Sequence, residues 1–416
     1  MLEPVMWALY AVVLFISFFL IIVLFDEGRI EPESEMLDEF PTLSLIIPAY
    51  NEEDTIEMTI ESALELDYPE ERYEIIAVND GSTDSTLEKI KQYEDNPRVT
   101  VIDKGNGGKG SALNAGVRES DSEVVACVDA DSKLEEKSLK HIVSEMGDDH
   151  VGVASAMKVY QPQNMLQKLQ WVEYVVGIFT RNIMGLINAI HVTPGPLSAY
   201  RREKLVEVGM FDEDSLVEDQ EICFRLQEKH YTIGHASKAE VRTVAPSTLK
   251  GFYRQRYRWY RGSLETAIQY KHMIFNREYG DLGMFAIPAK LAQTVLSLFV
   301  LFLTVYLIGV PLATFVSQFS RLGLDYFTFA ATGFSEIVNG IYWAVLSMQL
   351  VTLAMIGTLF TTSAAMAYMA SHHTDENLLE HGLIPVVLYL AFFVFINGFL
   401  WLIVILKMIV GSERTW

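Results

Sequence analysis

Residues 123–133 read EVVACVDADSK, in which an apolar run ends in two aspartates, Asp129 and Asp131. An all-apolar run of this length is typical of a strand buried on both faces of a sheet. Side chains two residues apart on a strand point the same way, so both carboxylates would face one spot at the strand end. Their repulsion costs stability unless a cation lies between them. A polar strand end that turns into a loop explains two aspartates equally simply.

Three other short apolar runs precede this one: LSLIIP (residues 43–48), YEIIAV (residues 73–78) and residues 99–102. Segments with helical character alternate with them. This alternation predicts a mostly parallel sheet with helices on both faces. Ligands bind such sheets beyond the carboxyl ends of the strands. Polar residues fall at these ends, and they are Asn51, Asp80, Lys109, Asp129 and Asp131.

Two loops at these strand ends allow a functional and a structural interpretation. Asp80, in NDGSTDST, is suited to accept hydrogen bonds from a nucleotide base or ribose, although a plain strand–turn–helix link has the same pattern. We favour ligand contact for Asp80. GNGGKG (residues 105–110) is rich in glycine but lacks the Walker A spacing, which argues against a nucleotide triphosphatase. Its Lys109 either meets a phosphate or is a solvated loop residue.

The composition is that of a membrane protein with one large polar segment. Half of the 416 residues (50%) are hydrophobic, and the mean hydropathy is +0.21. Residues 5–25 are uncharged, are long enough to span a bilayer and lack the marks of a cleaved signal peptide. Apolar blocks at residues 286–310, 342–369 and 383–410 bring the prediction to four spans, give or take one, with residues 312–340 as an interfacial or re-entrant stretch.

Charge and cysteine content narrow the function classes. The net charge of −22 argues against a nucleic-acid partner. Cys127 and Cys223 lie in apolar surroundings and read as reduced core residues. A basic cluster before the second span places that side in the cytoplasm. Its members are Arg254, Arg256, Arg258, Arg261, Lys271 and Arg277.

Several motifs in order carry a family resemblance. LIIPAYNEE, VNDGSTDST and VDADS resemble the nucleotide-sugar-binding half of family-2 glycosyltransferases with the GT-A fold. VEDQEICFRLQ resembles the acidic pair of that family, and RQRYRW resembles the Q-x-x-R-W motif of its processive membrane members. PGPLSAYRRE (residues 194–203) looks most like bacterial hyaluronan synthases, with chitin-oligosaccharide and poly-N-acetylglucosamine synthases close behind. The resemblance covers residues 42–262.

The resemblance implies an α/β protein with a Rossmann-like, mostly parallel GT-A domain in the cytosol, flanked by transmembrane helices. We expect a transmembrane helix in residues 1–26, the GT-A domain in 27–245, amphipathic interface helices in 246–283 and a transmembrane region in 284–416. The expected location is the plasma membrane, with several spans and a cytoplasmic catalytic domain. A channel for a polymer needs several helices. With so few spans in one chain, an accessory subunit or a homodimer could supply the others.

The resemblance also implies roles for individual residues. Asp219 would be the catalytic base with Glu218 beside it, although VEDQEICFRLQ is equally a helix with an acidic first turn. Asp131 would bind Mg²⁺ or Mn²⁺ directly, with Asp129 helping to orient the ion. The expected donor-binding residues are Tyr50, Glu52, Asp80, Lys109, Asp129, Gln255 and Arg258. The expected acceptor-binding residues are Gly195, Pro196 and Trp259. A basic amphipathic helix on anionic lipid is the rival interpretation of RQRYRW.

Three function hypotheses follow from the sequence. The first is an inverting membrane enzyme that polymerises a sugar from a UDP-sugar, N-acetylglucosamine-containing by resemblance, and translocates the growing polysaccharide. The second is transfer of one sugar to a polyprenyl phosphate or another lipid-linked acceptor. The third is a membrane transport or scaffold protein with a degenerate nucleotide fold. Asp80, Asp129, Asp131 and Asp219 together argue against the third.

Overall fold

A computed structural model describes residues 2–26, 36–147, 149–309, 350–374 and 376–411, with isolated positions between 313 and 321. Its centre is an eight-stranded sheet. The strands are β1 Leu43–Ala49, β2 Tyr73–Asp80, β3 Val99–Lys104, β4 Val124–Cys127, β5 Ser132–Leu134, β6 His150–Val159, β7 Ser198–Arg201 and β8 Thr232–Thr243. The predicted apolar runs are therefore the first four strands.

The sheet is mostly parallel, as predicted. Its strand order is β3-β2-β1-β4-β7-β6-β8-β5. Parallel pairing joins β3, β2, β1 and β4, and it also joins β6 to β8, whereas β7 and β5 run antiparallel to their neighbours. Every residue of β1 and β4 is buried, which explains their uninterrupted apolar sequences. The α/β class predicted from the sequence is confirmed.

Helices cover the sheet and continue into the apolar end of the chain. They are α1 Leu2–Asp26, α2 Ile56–Leu64, α3 Thr86–Lys91, α4 Lys109–Glu119, α5 Ser138–Met146, α6 Met165–Leu186, α7 Arg202–Glu207, α8 Glu218–Glu228, α9 Leu249–Gln269, α10 Ile287–Thr304, α11 Leu350–His373 and α12 Leu383–Val410. Side-chain hydrogen bonds cap the N-termini of two of these helices. The backbone N–H of Gln167 donates to Asn164 Oδ1 at 3.0 Å before α6, and that of Gly251 donates to Thr248 Oγ1 at 3.1 Å before α9.

Two described helical stretches, Leu282–Thr304 and Leu383–Val410, are long and apolar enough to cross a membrane. They coincide with two of the predicted spans. The other two predicted spans fall on α1 and largely on α11, and membrane crossing by these helices stays a prediction. Nearly all of the stretch 312–340 lies outside the described residues.

The apolar helices pack directly on the domain that carries the sheet. Lys158, at the end of β6, pairs with Glu240 at 2.6 Å and with Glu376 at 2.8 Å, and Glu376 lies between α11 and α12. Two contacts between aromatic rings lie at the same interface. Trp171 lies 4.7 Å from His381, and Phe179 stacks on His373 at 5.0 Å. These contacts attach α11 and α12 to the domain that contains the sheet.

Candidate active site

Lys109, the first residue of α4, joins three elements at the carboxyl edge of the sheet. Its Nζ lies 2.5 Å from Asp129 Oδ1, just beyond β4, and 2.8 Å from Glu218 Oε1, at the start of α8. Burial lowers the pKa of Lys109, but the charges of Asp129, Glu218 and Asp219 outweigh it and raise that pKa well above its usual range. Lys109 is thus a charged ion-pair partner and not a solvated loop residue.

The loop before β7 closes over this ion pair. A side chain at Gly195 would place its Cβ 2.6 Å from Lys109 Nζ and 2.8 Å from Asp129 Oδ2. Any side chain at this position would have to displace the loop or the ion pair. The same loop is anchored by Thr193, whose Oγ1 donates to the Asp219 carbonyl at 2.9 Å. The predicted acceptor residues Gly195 and Pro196 are therefore adjacent to the predicted base.

Asp219 is half-buried and has a defined orientation. Its Oδ2 accepts a hydrogen bond from the Gly195 N–H at 3.3 Å, and its Oδ1 accepts one from the Gln220 N–H at 2.8 Å. Burial, followed by the neighbouring charge of Glu218, raises the pKa of Asp219 to about 6. A carboxylate with such a pKa binds a proton more strongly than an exposed aspartate does, as a general base requires.

Glu218 shows the opposite behaviour. It is buried, and burial alone would raise its pKa, but the charges of Lys109 and Arg258 outweigh burial and hold that pKa below its usual value. Glu218 therefore stays ionised. Two adjacent carboxyl groups whose pKa values are moved apart are suited to different roles.

Three further carboxylates lie close enough to influence each other. Burial, then the charges of Asp129 and Glu52, raise the pKa of Asp131 to about 7, although Asp131 Oδ1 accepts hydrogen bonds from Thr243 at 3.1 Å and Ser132 at 3.2 Å. Burial and the charge of Asp129 also raise the pKa of Glu52. This excess of negative charge from oxygen donors suits Mg²⁺ or Mn²⁺.

A cation at this point would depend on outside ligands. Among the described residues, no group of three His, Cys, Asp or Glu side chains is arranged to hold a metal ion by itself. Mg²⁺ in proteins commonly takes one or two carboxylates and completes its shell with water and substrate phosphates. Asp131 and Asp129 fit that pattern.

Asp80 is occupied by partners within the protein. Its carboxylate accepts hydrogen bonds from the backbone N–H groups of Gly107 at 3.0 Å and Gly108 at 2.8 Å, and Lys104 Nζ lies 2.5 Å away. Asp80 therefore holds the glycine-rich loop that leads into Lys109. Sequence reasoning missed Lys104, although the parallel register of β2 and β3 pairs Asp80 with it. Contact of Asp80 with a ligand stays a prediction.

The loops after β1 and β2 are also joined. Asn51 adopts φ +56°, and its Oδ1 accepts a hydrogen bond from the Thr83 N–H at 2.8 Å. The neighbouring Tyr50 is 48% exposed at the rim. Tyr50 therefore has an accessible ring at the strand end where a donor is expected.

The predicted Q-x-x-R-W residues lie on α9. Arg258 donates to the Leu216 carbonyl at 3.1 Å, beside the acidic pair. The side-chain oxygen of Gln255 is buried and has no hydrogen-bond partner within the part of the chain that the structure describes. Trp259 lies under the guanidinium of Arg256, which is 4.5 Å from its ring centre. Arg256 itself pairs with both carboxylate oxygens of Glu173 at 2.6 and 2.5 Å, a contact that sequence reasoning missed.

Two cavities lie outside this cluster. A groove of about 460 Å³ passes Asp212, and its charged residues are largely paired. Arg225 Nε donates to Glu221 at 3.0 Å, for example. Asp212 and Asp214 form a second D-x-D sequence, after that of Asp129 and Asp131. A smaller cavity of about 60 Å³ lies behind Gln220, between α8, α9, α10 and α12.

The sequence of the chain is similar to that of a known protein family. Residues 44–209 match the sequence family described as Glycosyl transferase family 2. Poly-beta-1,6-N-acetyl-D-glucosamine synthases of Staphylococcus aureus (strain MSSA476) and Staphylococcus epidermidis are 30% identical to the chain over 238 and 232 residues, which are 56% and 55% of it. The chain spans only 57% and 56% of the length of these relatives.

A solved structure extends the likeness over nearly the whole chain. The mannosyltransferase PcManGT from Pyrobaculum calidifontis, in complex with GDP-Man and Mn²⁺, superposes with a TM-score of 0.63 at 16% sequence identity. The match covers 99% of this chain and 100% of that one. At this identity the likeness concerns the fold alone, and it confirms the predicted GT-A architecture.

Proposed function

We propose that this chain, whose residues 44–209 form a glycosyl transferase family 2 domain, is a membrane-embedded inverting enzyme that polymerises a sugar from a UDP-sugar donor. The family resemblance seen in the sequence is confirmed, and membership of this family supports glycosyltransferase chemistry. An N-acetylglucosamine-containing product is supported by the names of the staphylococcal relatives. Passage of the polymer through the chain's own apolar helices is part of the proposal.

The observation that carries the proposal is the environment of Asp219. Its raised pKa, its hydrogen bond from Gly195 and its place at the start of α8 make it a half-buried base with a fixed orientation. Asp219 would take the proton of an acceptor hydroxyl as the hydroxyl oxygen attacks the anomeric carbon. The bond to the diphosphate would break on the opposite face. One base and one displacement invert the anomeric centre.

Other residues would bind and orient the donor. Arg258 and Lys109 are cations that line the acidic pair, and each is suited to meet a diphosphate oxygen. Asp131, with Asp129 beside it, would hold Mg²⁺ or Mn²⁺, which when bound would neutralise charge on the leaving diphosphate. Tyr50, Glu52, Asp80 and Gln255 complete the proposed donor site. Trp259, Gly195 and Pro196 form the proposed acceptor side.

We also propose the domain division of residues 1–26, 27–245, 246–283 and 284–416, with the catalytic part on the cytoplasmic face of the plasma membrane. Membrane lipids then surround α1, α10, α11 and α12. An accessory subunit or a second copy of the chain would supply further helices for a polymer path.

The test is a transfer assay on the purified full chain with Mg²⁺ or Mn²⁺ and a panel of single and paired UDP-sugars. UDP release and product size are measured together. A long polymer from UDP-N-acetylglucosamine, alone or with a second donor, supports the proposal. UDP release with a product limited to one sugar on a lipid would contradict polymerisation and leave single-sugar transfer as the activity.

A further inference from the structure

The small cavity behind Gln220 has two chemically different parts. Most of its wall is apolar and comes from Phe224, Leu264, Ile287, Leu291, Trp401 and Ile405. The remainder is polar and includes Lys290, His191 and Gln220. Its volume of about 60 Å³ exceeds the space that one or two water molecules need. Both stretches that are apolar enough to cross a membrane, Leu282–Thr304 and Leu383–Val410, contribute to it.

Positive charge in this region exceeds what nearby carboxylates neutralise. Lys290 lies close enough to Glu173 to be attracted by it, but both oxygens of Glu173 already accept hydrogen bonds from Arg256. Arg181, on α6, adds a further cation. Burial and the charges of Lys290 and Arg181 lower the pKa of His191 to about 3, so both cations act on His191 and it stays neutral.

Arg181 also has unused hydrogen-bonding capacity. Its Nε and Nη2 atoms are buried and have no hydrogen-bond partner among the described residues, and the same is true of the nearby His235 Nε2. Buried donors of this kind are rarely left unpaired in folded proteins. An unpaired buried guanidinium is especially unfavourable. Arg181 does not line the cavity itself, but an anion bound beside Lys290 and His191 would offset its charge.

We propose that this cavity binds a phosphate group carried by a membrane lipid. Lys290 contacts the phosphate, Arg181 provides further positive charge behind it, and the apolar wall between α10 and α12 takes the first part of the lipid tail. A charged headgroup joined to a long apolar tail matches the two parts of the cavity. The site adjoins Gln220, which follows Asp219 on α8.

The proposal concerns binding and is tested without sugar transfer. The purified full chain in neutral maltoside micelles receives undecaprenyl phosphate, dioleoylphosphatidylglycerol or the phosphate-free dioleoylglycerol. The melting temperature and the retained lipid mass are measured. Both phosphate lipids should raise the melting temperature, by about 5 °C at a hundredfold excess over Kd, and dioleoylglycerol should not. An equal rise with dioleoylglycerol would overturn the proposal.

Matched variants distinguish lipid binding in the cavity from general attraction of lipid to the charged surface. Lys290→Gln should lose most of the lipid-induced rise, whereas Arg254→Gln, which removes an exposed cation from α9, should keep it. Equal losses in the two variants would overturn the proposal, because they would indicate attraction to the surface alone. A larger rise with undecaprenyl phosphate than with phosphatidylglycerol would identify a polyprenyl phosphate as the occupant, and the reverse would identify a bilayer phospholipid.

Arg181→Met provides an independent check. If Arg181 awaits an anion, removing its unpaired charge should leave the lipid-free melting temperature unchanged or higher, and the response to phosphate lipids should fall. A lower melting temperature without lipid would mean that Arg181 already has its partners within the protein, which would contradict its assigned role.

Discussion

Lys109 Nζ lies 2.8 Å from Glu218 Oε1, and this contact links the first residue of α4 to the first residue of α8. The same ammonium group lies 2.5 Å from Asp129. One cation thus joins the glycine-rich loop, the end of β4 and the acidic pair. Because Glu218 is held ionised by this contact, its charge contributes to the raised pKa of its neighbour Asp219.

Activity should depend on pH through Asp219. A base works only when deprotonated, and the pKa of Asp219 is raised to about 6. We therefore expect kcat to be constant above about pH 7 and to fall about tenfold per pH unit well below pH 6. The measurement is the initial rate of UDP release from pH 5 to pH 8.5 at saturating donor. A rate that stays constant down to pH 5 would contradict the assignment of Asp219 as the base.

The raised pKa of Asp219 also affects stability. Since its folded-state pKa lies above its unfolded value, ionisation is less favourable in the folded protein. Its contribution to stability is therefore highest at pH values below the unfolded pKa and is lost as pH rises through about 6. We expect Asp219→Asn to melt at or above the wild-type temperature at pH 8, as measured by thermal unfolding. A clearly lower melting temperature would indicate a structural role instead.

Gly195 should tolerate no side chain. A Cβ at this position would lie 2.6 Å from Lys109 Nζ, so Gly195→Ala must displace either the loop or the Lys109–Asp129 pair. We expect kcat/KM to fall at least tenfold, about 1.4 kcal/mol in transition-state stabilisation. Gly105→Ala is the control, because no atom lies within 4 Å of a Cβ placed there. Equal effects of the two substitutions would argue against the close approach seen at Gly195.

Divalent cations should bind through Asp131. Removing metal with EDTA should abolish transfer, and Mg²⁺ or Mn²⁺ should restore it. Mn²⁺ binding, measured by electron paramagnetic resonance in the presence of UDP, should weaken in Asp131→Asn. The same substitution at exposed Asp214, in the second D-x-D sequence, should leave Mn²⁺ binding unchanged. Full transfer activity after exhaustive EDTA treatment would contradict metal dependence.

Local patterns in the sequence predicted the four parallel strands β1 to β4. For β1, β2 and β4 the reason is that strands buried on both faces require continuous apolar residues, whereas most of β3 is only half-buried. They also predicted that Asp80, Lys109, Asp129 and Asp131 lie at one edge of the sheet. The remaining strands were not predicted individually. For example, β5 has only three residues, Ser132–Leu134, and its apolar pattern is too short to detect.

The pairings inside the site could not be predicted from local sequence. Nothing near Lys109 indicates that it meets Glu218, since that contact depends on how α4 and α8 pack in three dimensions. Arg256 similarly looks like one more basic residue of α9 until Glu173 on α6 is seen opposite it. Asp80 shows the converse: a residue expected to face a ligand also holds a loop through two backbone N–H groups.

The most direct test of the proposed catalysis is a single-turnover measurement of UDP formation by Asp219→Asn, with Asp214→Asn as the matched control. We expect a loss of about 100-fold or more in Asp219→Asn, the range expected for a general base, with donor binding and folding retained. The rate of Asp214→Asn should be nearly unchanged. UDP formation by Asp219→Asn at the wild-type rate would contradict the assignment of Asp219 as the catalytic base.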